Sequence, residues 1–237
     1  MIDIRNLSIS YDKKVIDDIS FSLKSGLVNV LMGRNGSGKS SILNAISGLV
    51  DHEGEIKKTG EISYLNQNVN TNINFTVFET ILLGKVKNLG LRISESDIED
   101  VDQIIDLLDI GDFKEKPINR LSGGEVQKVL IGQALIKKPE ILLLDEPASA
   151  LDLKNQYQTL ELISNLTRKL DITTLITIHQ IDLIEKFADN IILINNGKIY
   201  RQGDKYQIFD KQMFEDIYGL DAIIRKENNK LMFYFSS

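Results

Sequence analysis

The sequence predicts an α/β fold with a mostly parallel sheet, and three observations predict it. Short apolar runs at Val28 to Leu31, Ile141 to Leu144 and Thr174 to Ile178 have the length and continuity of strands covered on both faces. Segments of helical period alternate with them, as in Ile42, Leu43 and Ile46 after the first run and Lys154 to Lys169 after the second. Polar residues gather directly after each run: Gly33 to Ser41, Asp145 with Glu146, and His179. Ligands of doubly wound sheets bind beyond the carboxyl ends of the strands, so these clusters mark one candidate site.

At 237 residues the chain can bury a full core, and we expect one domain over 1–237, with a helical lobe inserted at about 76–120 and an extension at about 204–237. The 42% hydrophobic and 26% charged content is that of a globular protein, and no apolar run reaches the ~18 to 20 residues that span a bilayer. The opening MIDIRNLSIS has no basic segment followed by an apolar one, so secretion is not expected. The absence of cysteine excludes disulfides and thiolate metal sites and agrees with a reducing cytoplasm. A net charge of -6 argues against a dedicated nucleic-acid binder, which needs a basic surface.

In chain order, residues 2–11 and 15–23 alternate apolar and polar and read as antiparallel strands joined at Asp12-Lys13-Lys14. The apolar strand Val28 to Leu31 follows. Asp51 to Gly60 reads as turn-rich, and Glu61 to Leu65 as a strand running into Asn66-Gln67. From Thr76 to Asn119 the period is helical, with Phe78, Ile81, Leu82, Ile98, Val101, Ile104, Ile105 and Leu108 on one face. Ser96 with Glu99 reads as a capping box, and Glu99, Asp100, Asp102 and Asp106 as a solvated face. Pro117 closes this lobe, and an amphipathic helix follows Ser122-Gly123-Gly124-Glu125. After His179, a hairpin turns at Asn195-Asn196-Gly197, short helices cover Tyr206 to Phe209 and Gln212 to Tyr218, and a last hairpin turns at Asn228-Asn229.

The chemistry starts at Gly33-Arg34-Asn35-Gly36-Ser37-Gly38-Lys39-Ser40, followed by Ser41, between a strand and a helix. This is G-x-x-x-x-G-K-[ST], whose glycines let backbone N–H groups face phosphate oxygens at a helix N-terminus. Lys39 is suited to the β- and γ-phosphates and the Ser40 hydroxyl to Mg²⁺. The dinucleotide pattern G-x-G-x-x-G fails, because Ser41 stands at its third glycine. Beside a phosphate loop, Asp145 is placed to hold a Mg²⁺ shell through water and Glu146 to polarise an attacking water. Tyr11 reads equally as a platform for adenine or as sheet packing. Ser122 to Glu125 reads both as a capping box and as an anion site. His179 alone is more often structural, and Gln67 alone carries no role.

Together, Tyr11, the P-loop, Gln67, Leu121-Ser122-Gly123-Gly124-Glu125-Val126-Gln127, Ile141 to Glu146, Ser149-Ala150-Leu151-Asp152 and His179 stand in an order that resembles the ABC ATPases, the nucleotide-binding subunits of ABC transporters. The resemblance covers nearly the whole chain and implies a P-loop NTPase core with an N-terminal antiparallel β lobe and the inserted helical lobe. It implies that ATP and Mg²⁺ bind, that Tyr11 stacks on adenine, and that Glu146 is the general base. Gln67 would sense Mg²⁺ and couple to the membrane partner, and His179 would contact the γ-phosphate. Ser122, Gly123, Gly124 and Glu125 would meet the nucleotide held by a second copy of the chain, and Asp152, also counted with the nucleotide site, would belong to the loop that meets that copy.

A narrower likeness, to ATPases of importers for iron chelates, haem and cobalamin, rests on Val77 to Lys85, Gly90 to Ser94, Leu151-Asp152-Leu153-Lys154-Asn155-Gln156 and Phe214 to Gly219. Arg34 and Asn66 replace prolines common in the family, Ala148 a threonine and Gln133 an arginine, and the span from Ile56 to Tyr64 is short, which implies a trimmed antiparallel lobe. The resemblance thus implies a cytoplasmic ATPase, peripheral at the inner face of the membrane. Its partners would be a second copy in an ATP-sandwich dimer, a polytopic permease and, through the permease, an extracytoplasmic solute-binding protein, without nucleic acid. The rivals are an exporter or soluble mechanical ABC ATPase, and a nucleotide-gated module that does not turn over.

Overall fold

The computed structural model describes residues 2–66, 74–86 and 93–236, so Gln67 and the stretch Gly90-Leu91-Arg92 lie outside the described residues. Strands β1 (Ile2–Ser10) and β2 (Lys14–Leu23) pair antiparallel, with Ile4, Leu7 and Ile9 of β1 buried against Ile16, Ile19 and Phe21 of β2. β3 (Val28–Met32) is buried at every position, and α1 (Lys39–Ser47) buries Ile42, Leu43 and Ile46 as their spacing requires.

The turn-rich reading of Asp51 to Gly60 is corrected by β4 (Glu53–Lys58), which pairs antiparallel with the second edge of β1. None of its side chains is fully buried, so main-chain pairing rather than an apolar alternation makes this strand. β5 (Ile62–Leu65) follows as expected.

The helical stretch contains α2 (Val77–Leu82) and α3 (Glu95–Leu108), and α4 (Gly123–Leu135) follows it. Its second helix begins earlier than Ser96 implies, because the capping box is Ser94 with Asp97: Ser94 Oγ accepts from Asp97 N–H at 3.2 Å, and Asp97 accepts from Ser94 N–H at 3.0 Å. The acidic face is also more than solvated. Lys85 bridges Asp97 and Asp100, Lys138 also meets Asp100, and Lys114 meets Asp102, while Glu99 and Asp106 remain exposed. Ile98, assigned to the apolar face, is 41% exposed, whereas Asp97 beside it is buried and paired with Lys85.

The rest of the chain alternates β6 (Ile141–Leu144), α5 (Leu153–Lys169), β7 (Thr173–Thr177), α6 (Ile181–Phe187), β8 (Asn190–Asn195) and β9 (Lys198–Gly203). Helix α6 was not visible in the sequence, being only 7 residues long. The extension holds α7 (Lys205–Ile208), α8 (Lys211–Tyr218) and the hairpin β10 (Asp221–Glu227) with β11 (Lys230–Ser236). Asn228 and Asn229 both take positive φ at its turn, as asparagine tolerates.

The central sheet has the order β5-β6-β7-β3-β8-β9, parallel except for β9, and the antiparallel lobe has the order β2-β1-β4. Along each central strand the side chains alternate between two cores. Val30, Leu142, Leu144 and Ile176 face the α4, α5 and α6 side, whereas Leu31, Leu143, Leu175 and Ile192 face α1 and the antiparallel lobe. Each fully buried Leu or Ile contributes about 1.5 to 3 kcal/mol by leaving water. β6, β7 and β3 are neighbours in the order, so their carboxyl ends converge. Among the described residues no helix is long and apolar enough to cross a membrane.

Candidate functional site

The first component is the loop after β3. Gly38 takes φ +98°, a backbone that favours glycine, and a Cβ there would press on Ile16 Cδ1 at 2.5 Å. Lys39 is 6% exposed, and its ammonium donates to the carbonyls of Gly33 and Arg34 at 3.0 Å each. Burial lowers its pKa, and the charges of Glu146 and Asp145 oppose that shift. A concavity of about 400 Å³ opens over the loop between Val15, Asn35, Lys39, Ser40, Ser41 and Glu146. Gly36 borders it, Ser37 is buried beneath with its Oγ unpartnered, and Arg34 is exposed. Tyr11 is 55% exposed, with its hydroxyl 3.5 Å from Ser41 Oγ at the mouth of the site. It is not packed into the sheet.

The second component is the acid pair after β6. Asp145 is 5% exposed and accepts from Thr177 Oγ1 at 2.7 Å; Glu146 has φ +50° and its carboxylate joins His179 Nε2. Burial, then the nearby Asp145 charge, raises the pKa of Tyr64 and keeps this phenol protonated. The structure therefore brings Lys39, Ser40, Asp145, Glu146 and His179 to one end of the sheet.

The third component stands apart from the concavity. Ser122 caps α4: Ser122 N–H donates to Glu125 Oε2 at 2.7 Å, and Ser122 Oγ accepts from Glu125 N–H at 3.4 Å. These hydrogen bonds lower the Glu125 pKa. Asp152 caps α5 by accepting from Asn155 N–H at 2.9 Å. The two loops touch, since a Cβ on Gly124 would lie 2.7 Å from Asn155 Oδ1. No residue from Leu121 to Gln127, nor Asp152, borders the P-loop concavity of its own chain.

Sequence reasoning missed Val15, Asn155 and Thr177. Thr177 had a signal: it sits two residues before His179, and side chains two apart along an extended chain share a side.

Residues 16–149 match the ABC transporter family. A Helicobacter pylori protein named an iron chelatin transport ATP-binding protein is 30% identical over 252 residues, covering 99% of each chain. The petrobactin import ATP-binding protein of Bacillus subtilis is 28% identical over 252 residues, covering 100% of each. The solved structure of a metal-chelate type ABC transporter in an inward-facing conformation shares the fold, with a TM-score of 0.89 at 24% identity over 99% of this chain and 96% of that one. The family match spans more than half of the 237 residues, the likeness to the relatives extends from end to end, and the chain belongs to the ATP-binding subunits of ABC transporters.

Proposed function

We propose that two copies of this chain enclose and hydrolyse Mg-ATP to drive import of an iron chelate through a separate polytopic permease. The chain sits at the inner face of the cell membrane, and an extracytoplasmic solute-binding protein delivers cargo to the permease. The observation that carries the hydrolytic part is the Glu146 carboxylate, fixed by His179 and bordering the P-loop concavity. The iron-chelate cargo rests on the names of the relatives and on the narrower likeness in sequence.

ATP lays its phosphates in the loop of Gly33, Arg34, Asn35, Gly36, Ser37 and Gly38, with Lys39 released from the loop carbonyls to meet the β- and γ-phosphates. Among the described residues no group of three or more His, Cys, Asp or Glu could hold a metal ion. The Ser40 hydroxyl and Asp145 carboxylate instead fit Mg²⁺, a hard ion that takes few protein ligands beside phosphate and water. Bound there, it would supply positive charge against the phosphates. Glu146 accepts the proton of the attacking water, and His179 holds Glu146 in place and contacts the γ-phosphate. Gln67, outside the described residues, completes the metal side and couples to the permease.

Tyr11 stacks on adenine. Tyr11→Ala should weaken ATP binding by about 1 to 3 kcal/mol, the usual loss when an aromatic platform under a base is removed. Equal affinity in a fluorescence titration of the two proteins would return Tyr11 to a packing role.

Transport is tested in the cell. A strain lacking this chain should lose uptake of radiolabelled ferric chelate, regain it with the wild-type chain, and fail to regain it with Glu146→Gln. Normal uptake in the deletion strain would remove the iron-chelate cargo, and a gene neighbourhood without a permease would favour the soluble rival.

A further inference from the structure

Thr177 is the last residue of β7 and is 1% exposed. β6 and β7 are parallel with Leu144 opposite Ile176, so one step further along Asp145 stands opposite Thr177. A threonine hydroxyl offers one donor and two acceptor lone pairs. Here it donates to Asp145 Oδ1 at 2.7 Å and accepts from Glu146 N–H at 2.7 Å. The second bond falls on a residue whose backbone is left-handed, φ +50°, a region unfavourable for any side chain with a Cβ. Glu146 is thus gripped at two points from the same strand exit: its N–H by Thr177 and its carboxylate by His179.

We infer that Thr177 is a positioning residue for hydrolysis, setting the Asp145 carboxylate toward the metal side and holding the backbone that aims Glu146 at the attacking water. It acts only through those two acids. The inference rests on the roles proposed above for Asp145 and Glu146. Thr177 does not border the P-loop concavity, so nucleotide binding does not depend on its hydroxyl. Aim does, because a reacting group displaced by about 1 Å can lose as much as 10²-fold in rate.

The test is Thr177→Val, which keeps the β-branched shape of the strand and removes both hydrogen bonds, beside Thr177→Ser, which restores the hydroxyl. Thr177→Val should lower kcat about tenfold or more, with ATP affinity in the absence of magnesium held within about twofold. The magnesium concentration for half-maximal turnover should rise severalfold, and Thr177→Ser should recover most of the activity. If Thr177→Val does not fold, Thr177→Ala carries the same comparison. Wild-type turnover in the hydroxyl-free variant would overturn the inference. So would a loss shared equally by magnesium-free ATP binding and not relieved by serine, which would make Thr177 ordinary strand packing. Glu146→Gln, run alongside, separates the two levels: if it retains turnover, the reading of the acid pair fails, whereas an inactive Glu146→Gln beside a fully active Thr177→Val removes Thr177 alone.

Discussion

Glu146→Gln is expected to lower ATP turnover by about 10²-fold or more, about 2.7 kcal/mol of barrier, while ATP binding survives. The substitution is nearly isosteric and keeps an oxygen and an N–H for the contact with His179, so the left-handed turn and the Thr177 hydrogen bond to its backbone should persist. What it removes is the carboxylate proposed to accept a proton. Binding depends instead on the loop amides and on Lys39, which the change does not touch, so nucleotide stays bound and the variant accumulates as an ATP-loaded dimer on gel filtration. Removing a negative charge that borders the phosphate concavity also removes a repulsion toward the anionic nucleotide, which leaves ATP affinity equal or higher. Single-turnover hydrolysis at the wild-type rate would take the general-base role from Glu146, and loss of ATP binding would show that the residue builds the phosphate site itself.

How much of this was legible in the sequence depended on how local each feature is. The P-loop could be read residue by residue, because its phosphate-facing amides and its helix N-terminus lie within one short segment, Gly33 to Ser41. The central strands were legible because two-sided burial leaves continuous apolar runs. Strand β4 was hidden since Glu53, Glu55, Lys57 and Lys58 are exposed and only pairing to β1 defines them. The α3 cap was displaced by two residues because the rule favours glutamate at the third position, whereas aspartate, drawn in by Lys85, serves there. Asn155 was beyond sequence reading, and the spacing of Thr177 from His179 told its side of the strand but not its partners, for a different reason. Their roles arise from contacts to Asp145 and Gly124, and only the parallel pairing of β6 with β7 and the packing of α5 on α4 bring those partners together.

The same separation of parts sets the largest expected effect on activity. Ser122, at the exposed N-cap of α4, borders no part of its own chain's concavity. Backbone N–H groups at such a helix start favour an anion, and a twofold axis would place each Ser122 over the phosphate loop of the other copy. Each nucleotide site would then draw its P-loop from one chain and its Ser-Gly-Gly cap from the other. Lys39→Ala removes the ammonium proposed to neutralise β- and γ-phosphate charge, and Ser122→Arg fills the cap with a bulky side chain, so each homodimer should have no measurable ATPase activity. Mixed in equal amounts, half of the dimers are heterodimers in which one site has lost both elements and the other keeps both. With independent sites, the mixture should recover about one quarter of wild-type activity. The recovery should need Mg-ATP and fall on dilution, since it depends on association. Turnover by Ser122→Arg alone, at dilutions where gel filtration shows only monomer, would mean that each chain builds its site unaided, and the dimer would have to be abandoned.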